Sequence, residues 1–313
     1  MTGRIQRVAV IGAGTMGNGI ALWFAKAGLQ VRLRDVSAEV LERARRTQEA
    51  SLKALAAGGA VPEADVLGIL GRLQPTTDVR EAVADAEFVL EAAPEDLAVK
   101  RALFAEFEGA APPGVPLASN TSGIGIGRIA EGLRAPERVV GMHWWNPPHV
   151  VRVIEIVRGE RTGEAAFQAT RDLVIQIGKK PVVCRKDVPG FLGNRILYAL
   201  LREALHCYEQ GIGTAEDIDT MVREAFALKL AFMGPMALLD LAGVDIYHSV
   251  AQYLNGNLCT GSEVSAAAVD MVREGRLGLK AGKGFYDYAN VNIPDLMQRR
   301  GQQMAGLLKL MGP

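Results

Sequence analysis

Residues 12–17 read Gly-Ala-Gly-Thr-Met-Gly and match the glycine-rich turn G-x-G-x-x-G. The apolar run Val8–Ile11 precedes this turn and an amphipathic stretch follows it. This order predicts a strand, a turn and a helix whose unpaired N–H groups bind the pyrophosphate of a dinucleotide. Gly12 permits the tight turn, Gly14 lets the backbone approach the phosphates, and Gly17 lets the helix pack against the strand.

Asp35 ends the next apolar run, near the spacing at which a carboxylate meets a ribose hydroxyl. It favours NAD over NADP, because a carboxylate repels a 2′-phosphate. Arg32 and Arg34 weaken this preference slightly, although Arg34 should face away from the ribose if Asp35 faces it. The alternative is a turn that is glycine-rich by chance. The prediction is an NAD site formed by Gly12, Gly14, Thr15, Met16, Gly17 and Asp35.

The chain contains four histidines, of which His206 and His248 fall in helical patterns typical of surface or packing positions. The other two, His143 and His149, flank the aromatic and proline-rich stretch Trp144–Pro148. This stretch follows a predicted strand at the edge where doubly wound sheets bind ligands. An imidazole placed there can remove a hydroxyl proton while the hydride leaves the same carbon.

Glu155 is the carboxylate that we expect to face His143. If the chain reverses at Asn146–His149, the runs Val139–Met142 and Val151–Val157 lie antiparallel and bring the two side chains opposite each other. A carboxylate in that position fixes the imidazole tautomer and stabilises the imidazolium. The alternative is a histidine at a strand end and an unrelated solvated glutamate.

Through about residue 187, short apolar runs alternate with longer amphipathic stretches, which predicts βαβ units and a parallel sheet. The strands are expected at Val8–Ile11, Gln30–Arg34, Phe88–Ala92, Val115–Ala118, Val139–Met142, Val150–Val157 and Pro181–Cys184, and the helices at Gly17–Ala27, Ala38–Leu55, Leu97–Phe107 and Glu164–Ile177. A charged turn at Lys186–Gly190 precedes a helical pattern over Phe191–Gln210, and the one later strand pattern is Phe285–Tyr288. We therefore expect an α/β Rossmann-type doubly wound sheet over residues 1–187, followed by a mainly α-helical C-terminal domain over 188–313.

Composition excludes several classes of protein. The 313 residues are 49% hydrophobic and 22% charged, with 35 basic and 35 acidic side chains, so the chain has the make-up of an ordinary soluble protein without net charge. Overall attraction to nucleic acid or to an anionic membrane is therefore not expected, although local basic patches stay open. No secretory signal and no apolar run long enough to cross a bilayer is recognised.

The three cysteines, Cys184, Cys207 and Cys259, lie far apart and lack C-x-x-C spacing. This spacing predicts neither a disulfide framework nor a zinc site, and a reducing cytoplasm is the expected location. Histidine and carboxylate motifs typical of metal enzymes are also missing from the sequence, so we expect no metal.

Motifs in the same order along the whole chain resemble those of the L-3-hydroxyacyl-CoA dehydrogenase family. They are Ser119–Ser122, Gly141–Pro147, Val153–Glu155, Asp187–Phe191 with Asn194 and Arg195, Gly234–Pro235, and Lys280–Tyr286. The resemblance is less specific for substrate, because this family also includes L-gulonate 3-dehydrogenase, carnitine 3-dehydrogenase and a vitamin B6 catabolic dehydrogenase.

The resemblance implies that His143 is the general base and Glu155 its partner, with Ser122 and Asn194 hydrogen-bonding the reacting oxygen or the imidazole. It also implies cofactor contacts at Glu95, Lys100, Ser122, Asn146 and Lys280. Four of these residues have an alternative interpretation. Ser122 could cap a helix beginning near Gly123, and Asn194 could be a polar residue on a helix face. Glu95 and Lys100 could be charged residues on a helix surface. Family members form homodimers through the helical domain, where Phe226–Ala242 is either the interface or the core of one subunit.

Departures from the acyl-CoA pattern leave the substrate open. Ser51 and Lys53 match the helix that meets the CoA phosphates, but Gly58 stands where acyl-CoA members carry a lysine. Arg45 and Arg46, earlier on the same helix, could substitute for that lysine. Trp144, Trp145 and His149 also depart from the acyl-CoA pattern. Three stretches are similar instead to the vitamin B6 branch, which acts on a pyridine carboxylate bearing an aldehyde: Asn146–His149, Leu197–Ala204 and Gly234–Asp240. His149 and Arg152 could then bind the carboxylate, or lie on an exposed turn.

The first expectation is therefore an NAD-dependent oxidation of a 3-hydroxyacyl-CoA, as in fatty acid metabolism. The second keeps the chemistry but uses a CoA-free hydroxy acid or aldehyde. A third possibility, a structural protein similar to the lens crystallins of this family, conflicts with the retention of Ser122, His143, Glu155 and Asn194.

Overall fold

The computed structural model describes residues 3–59 and 61–311. Residues 1, 2, 60, 312 and 313, which the predicted domain ranges include, lie outside the described residues. An eight-stranded sheet with strand order β3-β2-β1-β4-β5-β6-β7-β8 forms the first part of the chain. Its strands are β1 (Arg7–Ile11), β2 (Gln30–Arg34), β3 (Leu73–Thr76), β4 (Phe88–Glu91), β5 (Leu117–Ser119), β6 (Val139–Trp144), β7 (Val153–Val157) and β8 (Lys180–Cys184).

Helices connect these strands and continue beyond them. They are α1 (Thr15–Lys26), α2 (Ala38–Ala57), α3 (Val66–Leu70), α4 (Val79–Val83), α5 (Leu97–Ala110), α6 (Ile126–Ile129), α7 (Glu164–Gln176), α8 (Gly193–Glu209), α9 (Ala215–Met221), α10 (Leu228–Leu230), α11 (Pro235–Ala242), α12 (Val244–Leu254), α13 (Ala266–Arg273) and α14 (Ile293–Leu310). A π-helical segment, Val222–Ala227, joins α9 to α10.

Strands β3, β2, β1, β4, β5 and β6 are all parallel, β7 is antiparallel to β6, and β8 is parallel to β7. The strand order reverses between β1 and β4, which is the point where ligands bind in open α/β sheets. The Rossmann-type sheet followed by helices confirms the predicted fold class. One apolar core lies on each face of the sheet, and Phe24 and Trp144 belong to one while Phe104 and Phe191 belong to the other.

One strand was missed, and one strand prediction was wrong. The sequence pattern missed β3, because Gln74 and Pro75 interrupt its apolar residues, and a proline is tolerated there only because β3 is an edge strand. The segment Phe285–Tyr288 is not a strand; Lys283 instead forms single bridges to Gly278 and to Asp287 in a loop.

Other elements begin or end a few residues from their predicted limits. β7 starts at Val153 rather than Val150, because the N–H groups of Val150 and Val151 both donate to the carbonyl oxygen of Pro147 and close a turn. The hairpin register confirms that His143 pairs with Glu155 across β6 and β7.

The chain forms two compact units, Met1–Arg195 and Ile196–Pro313. The division falls after the predicted limit at residue 187, because Phe191 is buried in the core of the sheet unit and the N–H groups of Leu192 and Gly193 donate to Glu155. Among the described residues of the second unit, Met271 alone is buried.

No single helix in the described part of the chain is long and apolar enough to cross a membrane. One bent pair, Ala215–Leu230 with Pro235–Ala242, meets the requirement by length and composition only, with an angle of 85° between its members.

Candidate active site

The glycine-rich turn lies at the reversal point of the sheet, between the ends of β1 and β4. Gly12 has a φ of +109°, and a Cβ atom there would lie 2.5 Å from the carbonyl oxygen of Ala92. A Cβ at Gly17 would lie 1.8 Å from the carbonyl oxygen of Gly12, so neither position accepts a larger residue. At Gly14, by contrast, no neighbouring atom lies within 4 Å of the position that a Cβ atom would take, so the backbone there is accessible to a ligand.

Helix α1 begins at Thr15 and Met16, and its N-cap residue Gly14 makes no side-chain cap hydrogen bond. The first N–H groups of a helix lack partners within the helix and carry partial positive charge, so this end of α1 can bind the phosphates of a dinucleotide.

Asp35 follows β2 and points to the glycine turn. Its Oδ2 accepts a hydrogen bond from Ala13 N at 2.7 Å, and its Oδ1 accepts one from Val36 N at 2.8 Å. Arg34 and Arg32 donate instead to the carbonyl oxygens of Thr77 and Glu81. The turn, the open helix end and this carboxylate fit NAD: the turn would hold the pyrophosphate and Asp35 the ribose.

His143 and Glu155 form a buried pair at the end of β6. Nδ1 of His143 lies 2.8 Å from Oε2 of Glu155, and the two residues are only 5% and 2% exposed. The other carboxylate oxygen accepts hydrogen bonds from Leu192 N at 3.1 Å and Gly193 N at 2.9 Å. Burial alone would raise the pKa of Glu155, but the hydrogen bonds from His143, Gly193 and Leu192 outweigh it and hold this pKa below its ordinary value.

Aromatic rings enclose the imidazole of His143. The ring of Trp145 lies 5.2 Å from it and that of Phe191 lies 5.8 Å from it, measured between centroids. Phe191 has a φ of 51°, which is uncommon for a residue with a side chain, so the surrounding structure must stabilise this turn. At Gly193 a Cβ atom would lie 2.3 Å from Cζ2 of Trp145, which leaves room for glycine only.

Ser122 and Asn194 are joined by a hydrogen bond beside strands β6 and β7. Nδ2 of Asn194 donates to the carbonyl oxygen of Ser122 at 3.0 Å, and Ser122 N donates to Oε1 of Glu95 at 2.9 Å. The alternative role of Ser122 as a helix cap is wrong, because α6 begins only at Ile126 and its N-cap residue is Gly125.

Glu95 and Lys100 belong to a charged network next to the glycine turn. Nζ of Lys100 lies 3.3 Å from Oε2 of Glu95 and 2.7 Å from Oε1 of Glu91, and Lys100 is 1% exposed. Lys100 is therefore not a helix-surface charge. Desolvation would raise the pKa of Glu95, but Thr121 Oγ1, Lys100 and Ser122 N outweigh it and lower the pKa. The sequence reasoning missed Glu91, whose only signal was a carboxylate ending an apolar run.

The loop after β6 carries three more of the predicted site residues. Asn146 is exposed and joined to Pro147 by a cis peptide bond, His149 is exposed, and Arg152 is half-buried. Partial desolvation by neighbouring groups, together with the charges of Lys179 and Lys26, lowers the pKa of His149, so the neutral imidazole is favoured there. Asn120, which sequence reasoning assigned no role, accepts a hydrogen bond from Trp144 N at 2.8 Å and fixes the start of this loop.

The remaining predicted residues lie elsewhere. Ser51 is half-buried on α2. Lys280 is exposed in a short 3₁₀ segment, Leu279–Ala281, of the helical unit. Among the described residues, no group of three or more His, Cys, Asp or Glu side chains could hold a metal ion.

Comparison with known proteins places this geometry in a family. Residues 7–188 match the family model described as 3-hydroxyacyl-CoA dehydrogenase, NAD binding domain, and residues 190–288 match its C-terminal domain. A 5-formyl-3-hydroxy-2-methylpyridine 4-carboxylate 5-dehydrogenase of Mesorhizobium japonicum is 40% identical over 98% of both chains. A 3-hydroxybutyryl-CoA dehydrogenase of Bradyrhizobium diazoefficiens is 37% identical over 92% of this chain and 97% of its own.

Solved structures give the same assignment. A crystal structure of the pyridine carboxylate dehydrogenase, described as an NAD⁺-dependent dismutase, is 38% identical, covers 98% of this chain and 99% of its own, and has a TM-score of 0.91. That of (S)-3-hydroxybutyryl-CoA dehydrogenase from Ralstonia eutropha is 33% identical, covers 91% and 99%, and has a TM-score of 0.75. The chain therefore belongs to the 3-hydroxyacyl-CoA dehydrogenase family and is an NAD-dependent dehydrogenase acting on a CH–OH group.

Proposed function

We propose that His143 is the general base of this dehydrogenase and that Glu155 holds it in the reactive tautomer. The observation that carries this proposal is the buried 2.8 Å contact between Nδ1 of His143 and Oε2 of Glu155. With Nδ1–H directed to the carboxylate, the lone pair lies on Nε2, which accepts the proton of the substrate hydroxyl. NAD, when bound, accepts the hydride from the carbon that carries this hydroxyl.

Glu155 stays a carboxylate throughout this step. Its lowered pKa keeps it charged at neutral pH, and its negative charge offsets the imidazolium that forms on His143. Leu192 N and Gly193 N hold the carboxylate in place from the other side. Asn194 and Ser122, joined by their own hydrogen bond, supply polar groups for the substrate oxygen.

For the substrate, we infer a small CoA-free carboxylate that carries an aldehyde or a hydroxyl group. The support is the likeness to the pyridine carboxylate dehydrogenase over 98% of this chain, with a TM-score of 0.91 against 0.75 for the hydroxybutyryl-CoA enzyme. An aldehyde reacts as its hydrate, which carries the required CH–OH group: one hydroxyl proton goes to His143, the hydride leaves the carbon, and a carboxylic acid remains. For the substrate carboxylate, His149 supplies an imidazole N–H donor and Arg152 supplies a guanidinium group.

A 3-hydroxyacyl-CoA is the second candidate, and it would place the enzyme in fatty acid metabolism. Ser51 and Lys53 favour it, as does the 37% identity to a hydroxybutyryl-CoA dehydrogenase. The cations that would replace the missing lysine are already paired, however: Arg45 contacts Glu42 and Glu49, and Arg46 contacts Glu42. These exposed pairs make Arg45 and Arg46 weaker partners for CoA phosphates.

We also propose that the helical unit forms a homodimer. Phe232, Met236 and Leu241, in the apolar segment predicted as an interface, are 59%, 73% and 71% exposed in one chain. Such a surface, on a unit in which Met271 is the one buried residue among those described, is typical of a chain that completes its core with a partner.

NADH formation with a panel of substrates tests the proposed function. The panel contains 5-formyl-3-hydroxy-2-methylpyridine 4-carboxylate, 3-hydroxybutyryl-CoA and L-carnitine, each with NAD⁺ and purified enzyme. We expect the highest kcat/KM with the pyridine aldehyde. A higher kcat/KM with the thioester would reject the CoA-free substrate and leave the base in place, whereas NAD-dependent turnover that persists in His143→Ala would reject the base.

A further inference from the structure

Lys179 is a buried lysine that the proposed mechanism does not use. It lies between α7 and β8, is 5% exposed, and makes no ion pair among the described residues. Its Nζ donates to the carbonyl oxygen of Pro148 at 2.7 Å and to that of Val151 at 2.6 Å. Both acceptors belong to the loop that follows Trp145, so one ammonium group holds this loop at two points.

Two indole rings fix the ammonium group of Lys179 in place. Nζ lies 3.8 Å from the ring centroid of Trp23 on α1 and 5.6 Å from that of Trp144 on β6. Trp23 is itself held, because its Nε1 donates to the carbonyl oxygen of Ile177 at 3.0 Å. In its protonated form, the amino group is attracted by both aromatic faces, so the lysine cannot swing away without losing these contacts.

The same loop also rests on the cofactor-binding helix. Pro148 packs against Gly19 of α1 so closely that a Cβ atom at Gly19 would lie 2.6 Å from Cγ of Pro148. The loop is thus held between Gly19 on one side and Lys179 on the other, directly after the strand that carries His143. Lys179 itself touches none of the proposed catalytic residues.

We propose that Lys179 is a positioning residue that sets the loop of residues 146–152 against helix α1, and thereby places Asn146 for the cofactor and His149 for the substrate. This inference rests on the cofactor contact expected for Asn146 from the family resemblance and on the proposed role of His149. Its cofactor part does not depend on the identity of the substrate, because the position of Asn146 affects the cofactor alone. His143 is held separately by Glu155, so its chemistry should survive when the loop is released.

Lys179→Met tests this proposal, because it removes the two hydrogen bonds but keeps an apolar side chain between the indole rings. We expect the NADH dissociation constant, measured by fluorescence, and the substrate KM to rise at least about tenfold, while kcat changes less than about threefold. Lys26→Met is the matched control: Lys26 lies 4.8 Å from the same Trp23 ring, and no contact of its Nζ with the loop is seen. It should leave the NADH dissociation constant unchanged; the substrate KM is not its readout, because the charge of Lys26 also acts on His149.

Gly19→Ala releases the loop from the opposite side without touching the lysine, and it should reproduce the rise in both constants. If Lys179→Met does not fold, Gly19→Ala carries the test, and Lys179→Arg, which keeps the charge and the donors, should bind NADH nearly as the wild type does. The proposal is overturned if folded Lys179→Met or Gly19→Ala binds NADH as the wild type does, or if Lys26→Met weakens NADH binding to the same extent. Weaker NADH binding in an enzyme that turns over none of the panel substrates would support this inference and reject the proposed function.

Discussion

Nδ1 of His143 lies 2.8 Å from Oε2 of Glu155, across two antiparallel strands that pair these residues directly. Residues opposite each other on such strands point to the same face of the sheet, which is why the spacing along the chain is enough to join them. Burial of both side chains keeps water from competing for this contact and strengthens the interaction of the carboxylate with the imidazolium.

Glu155→Gln should lower kcat by about 10²- to 10⁴-fold. The amide keeps the size of the side chain but removes its charge, and an NH₂ group directed to Nδ1 favours the tautomer that puts the proton on Nε2. NADH-coupled rates measure the loss. NADH affinity, measured on the same variant, should stay within a factor of about two, and a variant with wild-type kcat would show that the carboxylate is not needed.

Gly17→Ala should destabilise the fold, whereas Gly14→Ala should leave the stability of the fold unchanged. A Cβ at Gly17 overlaps the carbonyl oxygen of Gly12, so this variant should lose several kcal/mol of unfolding free energy, about 3 or more. Gly14 has open space and an extended backbone, with φ −64° and ψ −171°, so its variant should fold normally and lose NAD affinity. Denaturant unfolding and NADH titration separate the two outcomes; normal NADH binding by Gly14→Ala would contradict the assigned phosphate site.

Lys179 should make the free energy of unfolding rise with pH. Burial, with the nearby charges of Lys26 and Arg152, lowers the pKa of Lys179 from 10.5 to about 7, and His149 faces it from the loop. Between these two values the unfolded chain binds more protons than the folded one, so this contribution to stability is lost as the pH falls to 7 and is full above 10.5. Denaturant unfolding of the wild type and Lys179→Met should therefore show a gap in favour of the wild type that widens between about pH 7 and about pH 9.5. A gap that stays constant with pH would contradict this.

Light scattering should give twice the mass of one chain. Leu241→Glu places a charge on the exposed apolar face of α11 and should shift the protein to the monomer. Leu67→Glu is the matched control, because Leu67 is 80% exposed on the sheet unit. Its mass should stay that of a dimer, and a wild-type protein of single-chain mass would contradict the proposed homodimer.

The residues that could be predicted from the sequence are those whose role depends on local spacing. The spacing of Gly12, Gly14 and Gly17 predicts a turn. His143 and Glu155 are in contact because a hairpin joins their strands. In both cases a few neighbouring residues fix the geometry.

Lys179 and Glu91 could not be predicted in this way, because their partners lie on other helices and strands of the fold. Lys179 meets Trp23 only when α1 and the end of α7 pack on the same face of the sheet. Glu91 ends an apolar strand and gains its partner, Lys100, from the next helix, while Ser119 arrives from a neighbouring strand. Local sequence patterns do not predict such contacts.

The most direct test of the account is the rate and NADH affinity of His143→Ala beside His206→Ala, a histidine of the helical unit. We expect His143→Ala to lose about 10²- to 10⁴-fold or more in kcat while it binds NADH as the wild type does, and His206→Ala to keep the wild-type rate. A His143→Ala enzyme that turns over substrate at the wild-type rate would contradict the assignment of this imidazole as the base.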